Sequence, residues 1–182
     1  HRDLHSFPTR RSSDLAKLMN RSYQLDPTHY GAYNSYNLFI THHTFGGTDE
    51  SRNAAKRLAR HTIELIKHEK EDPEPYLTAA SASSNLFLIE TEDARVNGTP
   101  ISLETLRKFR DEIKSLLGTF ETLQKQAEDS GDWDYLSIDR QVEIAQRYRF
   151  AKKTFGQFDV MIARAEERAN NVVGSEVVEK GE

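Results

Sequence analysis

The amino-acid sequence predicts an all-α fold, an array of antiparallel helical hairpins whose last hairpin is the longest. Two stretches near the C-terminal end repeat apolar residues at alternating spacings of three and four, as one edge of a helix requires. Four of the five prolines fall between the helical runs. No stretch of useful length alternates apolar and polar residues as a half-buried strand does.

The first of these stretches predicts a helix of about 26 residues with one apolar edge held for about three heptads. The edge residues are Leu106, Phe109, Ile113, Leu116, Phe120, Leu123 and Ala127. Ser102 is suited to cap the start of this helix, because a serine hydroxyl can accept from a free backbone N–H of the first turn.

The second stretch predicts the longest helix, roughly 36 residues with the same spacing. Its edge residues are Ile144, Tyr148, Ala151, Phe155, Phe158, Ile162, Ala165, Ala169 and Val172. Between the two stretches, Gly131 can adopt the left-handed conformation that ends a helix, and Asp132 or Asp134 can cap the next one. The two helices therefore form an antiparallel hairpin over residues 99–173, with an acidic tail at 174–182.

Composition excludes several kinds of protein. The chain has 182 residues, no cysteine and a formal charge of −4, so disulfides and cysteine-ligated zinc are impossible, and nucleic acid is disfavoured as a partner. No apolar run is long enough to cross a membrane. We expect a soluble chain, with the cytoplasm favoured. Basic clusters on the last two helices, which include Arg147, predict ordinary solvated faces.

Residues 1–15, which read HRDLHSFPTRRSSDL, have no periodic apolar pattern and no features of a targeting signal. Back-translated, they resemble the adapter DNA of short-read sequencing libraries over their whole length. We therefore expect them to be a disordered artefact. We also expect the native sequence to start near Ala16, as a fragment of a larger protein.

The dipeptide Asp26-Pro27 recurs as Asp72-Pro73, and each is followed by a tyrosine three residues after the proline. An aspartate N-cap with proline at the first position is a strong helix start. Helices are thus predicted at about 28–43, from about 49 to 70, and after residue 73. They form a unit over residues 16–98.

This pattern resembles tetratricopeptide (TPR) repeats, in which paired helices close on a proline. The residues that fall at the first-helix motif positions are Ala32, Tyr33, Tyr36, Asn37 and Ile40. The Asp-Pro spacing is 46 residues, against 34 in the family, and the final hairpin has no repeat signature. The resemblance implies a concave helical surface for a protein or peptide, and it carries over no catalytic residue.

Three tyrosines of the first repeat helix, Tyr30, Tyr33 and Tyr36, follow one another at helical spacing, with Asn34 and Asn37 beside them. One interpretation is an aromatic groove, in which the tyrosines supply contact area and the asparagines hold a peptide backbone. The alternative is that the rings pack between helices.

Other chemistry has little support in the sequence. His61, Glu64 and His68 lie on one side of a helix, but the two histidines are about 10.5 Å apart along its axis, too far for one metal ion. His42 and His43 suit a helix C-terminus better than a metal. No Gly-rich phosphate loop or Glu-x-x-His pair is present. We therefore predict no catalytic, cofactor or metal site.

The favoured function is a non-enzymatic scaffold that binds a protein or peptide. The alternative is a structural or oligomerisation element in which residues 158–172 pair with another copy of the chain. A metal-binding helical protein is the third hypothesis.

Overall fold

The computed structural model describes the backbone of residues 7–42 and 48–179, with side chains over 14–41 and 48–168. Every regular element in these ranges is helical, which confirms the predicted all-α class. The six helices are α1 (Phe7–Leu25), α2 (Tyr30–His42), α3 (Asp49–Ile66), α4 (Glu74–Val96), α5 (Leu103–Ser130) and α6 (Ile138–Glu179). A 3-10 turn at Asp132–Tyr135 joins α5 to α6.

The helices pack in chain order, each against the next, and α4 also contacts α2 and α6. Helices α2, α4 and α6 therefore form one row, with α3 and α5 packed on α4 as well. Small buried residues on α4 (Ala79, Ala80, Ala82 and Ser83) let four neighbours approach this helix closely. Phe87 of α4 then fills the centre, with its ring 5.4 Å from Phe109 of α5 and 4.7 Å from Phe158 of α6.

The long hairpin forms as the apolar spacing predicts. Helix α5 has 28 residues and α6 has 42. Ile144, Phe158 and Ile162 are almost completely buried. One position of the predicted α5 edge is wrong: Leu117 is 3% exposed and enters the core, while Leu116 is only partly buried. Helix α5 packs on both α4 and α6, so its buried face is wider than a single heptad edge.

The two ends of α5 follow the predicted capping residues, but the start of α2 does not. Helix α2 begins at Tyr30, so the prediction that Asp26 is its N-cap is wrong. The Asp26 carboxylate accepts from the backbone N–H groups of Thr28 (3.0 Å) and His29 (3.1 Å) in the turn before the helix. Ser102 Oγ accepts from the Thr105 N–H at 3.1 Å, and Gly131 has a φ of 84°. The prediction that Asp132 or Asp134 caps α6 is wrong, because both lie in the 3-10 turn.

Helix α6 is capped by Ser137 instead, whose Oγ accepts from the Arg140 N–H at 3.3 Å.

Two ends of the chain also differ from expectation. Helix α1 begins at Phe7, inside the segment 1–15 that we expected to be disordered, and α6 continues to Glu179 through the expected tail. Residues 1–6, 43–47 and 180–182, with His43 among them, lie outside the described residues.

Candidate functional site

The predicted tyrosine surface on α2 is largely an internal feature. Tyr33 has no exposed surface, and its hydroxyl accepts from Asn85 Nδ2 of α4 at 3.2 Å. Burial raises the pKa of the Tyr33 phenol above its ordinary value. Tyr36 is partly buried against Tyr23 of α1, with ring centroids 5.9 Å apart. The rings of Tyr33 and Tyr36 therefore pack between helices and do not line an open groove.

Tyr30 is covered by a side chain from the other end of the sequence. The guanidinium carbon of Arg147, on α6, lies 3.9 Å from the centre of the Tyr30 ring. Arg147 also donates to Glu74 Oε2 and to Thr78 Oγ1 of α4, both at 3.2 Å. The arginine thus ties the row α2, α4 and α6 together at one end.

The expectation that Arg147 lies on a solvated helix face is wrong, since its side chain is only 8% exposed. Burial lowers the pKa of the guanidinium, and the neighbouring Glu74 carboxylate opposes that effect. Glu74 also pairs with Arg140, so this one carboxylate is shared by two arginines, and Arg140 has a second carboxylate partner in Glu143 at 2.6 Å.

The two predicted asparagines are also partly enclosed. Asn34 is partly buried, and Asn37 is only 9% exposed, with no hydrogen-bond partner for its Oδ1 among the described residues. Helix α2 therefore holds the five predicted site residues together, but it does not present them as an open aromatic groove.

A large open cavity lies elsewhere, at the end of the array where α3 turns into α4 and α5 turns into α6. We call it the end groove; its volume is about 510 Å³. One wall is the loop 70–74, and the other comes from the last turn of α5 and the 3-10 turn. The apolar residues of its lining are Pro73, Ala127, Trp133 and Leu136.

The loop wall is held in place by the Glu69 carboxylate. Its Oε1 accepts from the backbone N–H groups of Lys70 (2.9 Å), Glu71 (3.0 Å) and Asp72 (3.2 Å). Those hydrogen bonds lower the pKa of Glu69. The hydroxyl of Tyr76 then donates to the Glu69 carbonyl at 2.7 Å. The backbone of this wall is therefore set before any ligand arrives.

The opposite wall is fixed by α6. Gln141 Nε2 donates to the carbonyl of Trp133 at 3.2 Å and to that of Leu136 at 3.1 Å. Trp133 is partly buried against the core, and its remaining surface lines the groove. Ser130 Oγ donates to Asp132 Oδ2 at 2.7 Å across the end of α5.

A second groove, of about 410 Å³, lies between α3 and α5 over α4. Its floor is apolar, with Ile63, Leu86 and Phe109 contributing. Its rim mixes cations and carboxylates, several of them paired with each other, such as Arg60 with Glu90 at 3.0 Å. The mixed rim gives this groove no clear preference for the charge of a ligand.

The histidine on α3 that was weighed as a metal ligand takes part in packing. His61 Nδ1 is 2.8 Å from the hydroxyl of Tyr23, which is also 2.8 Å from Thr62 Oγ1. Across the described residues, no three histidine or acidic side chains converge as a metal site would require. Within the same ranges, no helix has the length and apolar character to span a membrane.

The proposed pairing surface on α6 is largely used within the chain. Phe158 is 2% exposed and Ile162 is 5% exposed, both in the core formed with α4 and α5. The side chains of Ala169 and Val172 lie outside the described residues. The exposed apolar residues of α6 are instead Ile138, Val142, Phe150 and Val160.

Comparison with protein-family models, with curated proteins and with solved structures found no match.

The sequence did not predict that the residues of the end groove form one site. Trp133 and the loop before α4 are far apart in the chain, and nothing in their local sequence indicates that they face each other across a groove.

Proposed function

We propose that this chain is a non-enzymatic helical scaffold that binds a segment of a protein or peptide in its end groove. The observation that carries the proposal is the groove itself, about 510 Å³ in volume and open along the end of the array. That volume lies within the usual range for ligand sites, and an open groove suits a chain that passes across it.

The lining supports a binding role. Trp133 and Leu136 line the groove and are partly exposed, and large aromatic surfaces such as that of tryptophan dominate the energy of many protein interfaces. Both walls are hydrogen-bonded into the fold, so little conformational entropy is lost when a partner binds.

Two acidic side chains at or beside the groove have structural partners. The Glu69 carboxylate holds its own loop, and Glu74 pairs with Arg140 and Arg147. These pairings favour a rigid binding surface over acid–base chemistry at the groove.

A display experiment tests the proposal. Peptides are selected from a random dodecapeptide library on the immobilised chain and then measured against an Ala127→Phe variant, in which the larger ring fills the groove. Ala163→Phe, at an exposed position of α6, is the matched control. We expect selected peptides to lose binding to Ala127→Phe and to keep it with Ala163→Phe. Peptides that bind all three proteins equally would contradict the proposal.

Self-association through α6 is the second candidate function, and it is favoured by the exposed Val142, Phe150 and Val160. Light scattering after size-exclusion chromatography distinguishes the two. A dimer that becomes monomeric in a Val142→Glu/Val160→Glu variant would support assembly, whereas a monomeric wild-type chain would oppose it.

A further inference from the structure

The end groove carries more negative than positive charge. Glu71, Asp72 and Asp132 are exposed carboxylates in its lining, and Lys70 is its cation. Glu74 adds little to the excess, because the two arginines neutralise it. The lining therefore offers a ligand three carboxylates and one ammonium group, beside apolar walls.

The apolar part of the same groove favours a cation over an anion as well. The indole of Trp133 lines the groove and is partly exposed, and aromatic rings attract ammonium and guanidinium groups over their faces. Ala127 and Leu136, which are also partly exposed, supply surface for an aliphatic side chain or for the methylene stem of lysine or arginine.

A ligand that satisfies both halves of the lining has a positive charge beside apolar surface. Phosphate-bearing and acidic ligands would meet the uncompensated carboxylates of the rim, and the chain's net charge of −4 adds to that repulsion.

We propose that the end groove selects a peptide segment in which lysine or arginine stands next to an apolar residue. The apolar side chain packs on Ala127 and Leu136, while the cation lies over Trp133 and within reach of Glu71 or Asp132. This preference rests on the proposed function, since it assumes that the groove is where the peptide binds.

The selected dodecapeptides supply the first test. Those that lose binding to the Ala127→Phe variant are the groove-dependent set, and their composition is compared with that of the unselected library. We expect lysine and arginine to be enriched at least about threefold beside an apolar residue, as a charge preference of less than 1 kcal/mol would produce. Groove-dependent peptides that are neutral or acidic would overturn the preference and leave the proposed function intact.

The second test uses one groove-dependent basic peptide, made synthetically with blocked ends. Trp133 is the only tryptophan of the chain, so its fluorescence reports binding at the groove directly. A Glu71→Gln/Asp132→Asn variant removes two rim charges, and asparagine can still accept from Ser130 as Asp132 does. The control variant, Glu167→Gln/Asp159→Asn, changes the net charge equally at exposed sites on α6.

We expect the groove variant to bind the basic peptide about threefold to tenfold more weakly, as two exposed ion pairs predict, and the difference should shrink at high salt. The control variant should bind as the wild type does. Equal weakening in both variants would show that only the overall charge attracts the peptide, and would overturn the preference at the groove. A library that yields no groove-dependent peptide would overturn the proposed function along with it.

Discussion

Two phenylalanines on α6 provide the sharpest test of the packing described above. Phe158 is 2% exposed and meets the Phe87 ring at 4.7 Å, whereas Phe150 is 66% exposed on the same helix. Replacing each with alanine makes the same chemical change in two opposite environments.

The expected magnitudes follow from burial. A fully buried phenylalanine removes about 150–250 Å² from water, which corresponds to roughly 4–6 kcal/mol at about 25 cal/mol per Å². Alanine keeps its Cβ and the neighbours relax in part, so Phe158→Ala should lower the free energy of unfolding by about 3–5 kcal/mol. At Phe150 the smaller burial is offset by the better helix propensity of alanine, and we expect a change within about 0.5 kcal/mol.

Urea denaturation followed by circular dichroism at 222 nm measures both values on the intact chain. Similar losses in the two variants, or a larger loss at Phe150, would refute the arrangement of α6 on α4. Such a result would also restore Phe158 as a candidate for pairing between copies of the chain.

Three further predictions use the same denaturation assay. Gly131→Ala should destabilise the chain by about 1 kcal/mol, because φ is 84° there, while Gly156→Ala should stabilise it by up to about 1 kcal/mol, since a Cβ there meets no atom within 4 Å. Glu74→Gln should cost about 1–3 kcal/mol, because it leaves the buried Arg147 without a charged partner, and unchanged stability would argue against that pair. Burial raises the pKa of Tyr33 above its ordinary 10.0, so the folded chain holds this proton more tightly than the unfolded chain. The contribution of Tyr33 to stability should therefore be complete below pH 10 and be lost above it by up to about 1.4 kcal/mol per pH unit, so the Tyr33→Phe variant should show a smaller fall in this range.

Capping residues and apolar spacing were readable in advance because they act over one or two helical turns. The Ser102 cap and the left-handed Gly131 were predicted from residue type and position, whereas Asp26 bonds the turn before α2 and does not cap that helix. Five of the seven predicted α5 edge residues are buried; Ala127 is only partly buried, and Leu117 is buried in place of its neighbour Leu116. Which of these two leucines is buried depends on how many helices surround α5, and the apolar spacing within one helix does not show that number.

The tyrosines of α2 show a different limit. Their spacing places Tyr30, Tyr33 and Tyr36 on one helix, but helical spacing is the same for a core-facing row as for an open groove. Arg147 decides the environment of Tyr30, and it lies more than a hundred residues away in the chain. A basic residue on an amphipathic helix is most often solvated, so the sequence predicted an exposed side chain for Arg147.

The sequence by itself determined that the chain is helical, roughly where helices α2 to α5 begin and end, and most of the residues that form the seam of the long hairpin. These properties come from hydrogen bonds and side-chain contacts within a few residues. Tertiary structure alone decided that Tyr33 is buried, that Glu74 pairs with two arginines of α6, and that loop 70–74 faces Trp133 across a groove. Each of these depends on the packing angle and offset between helices distant in the chain, which many side chains set together and no single motif encodes.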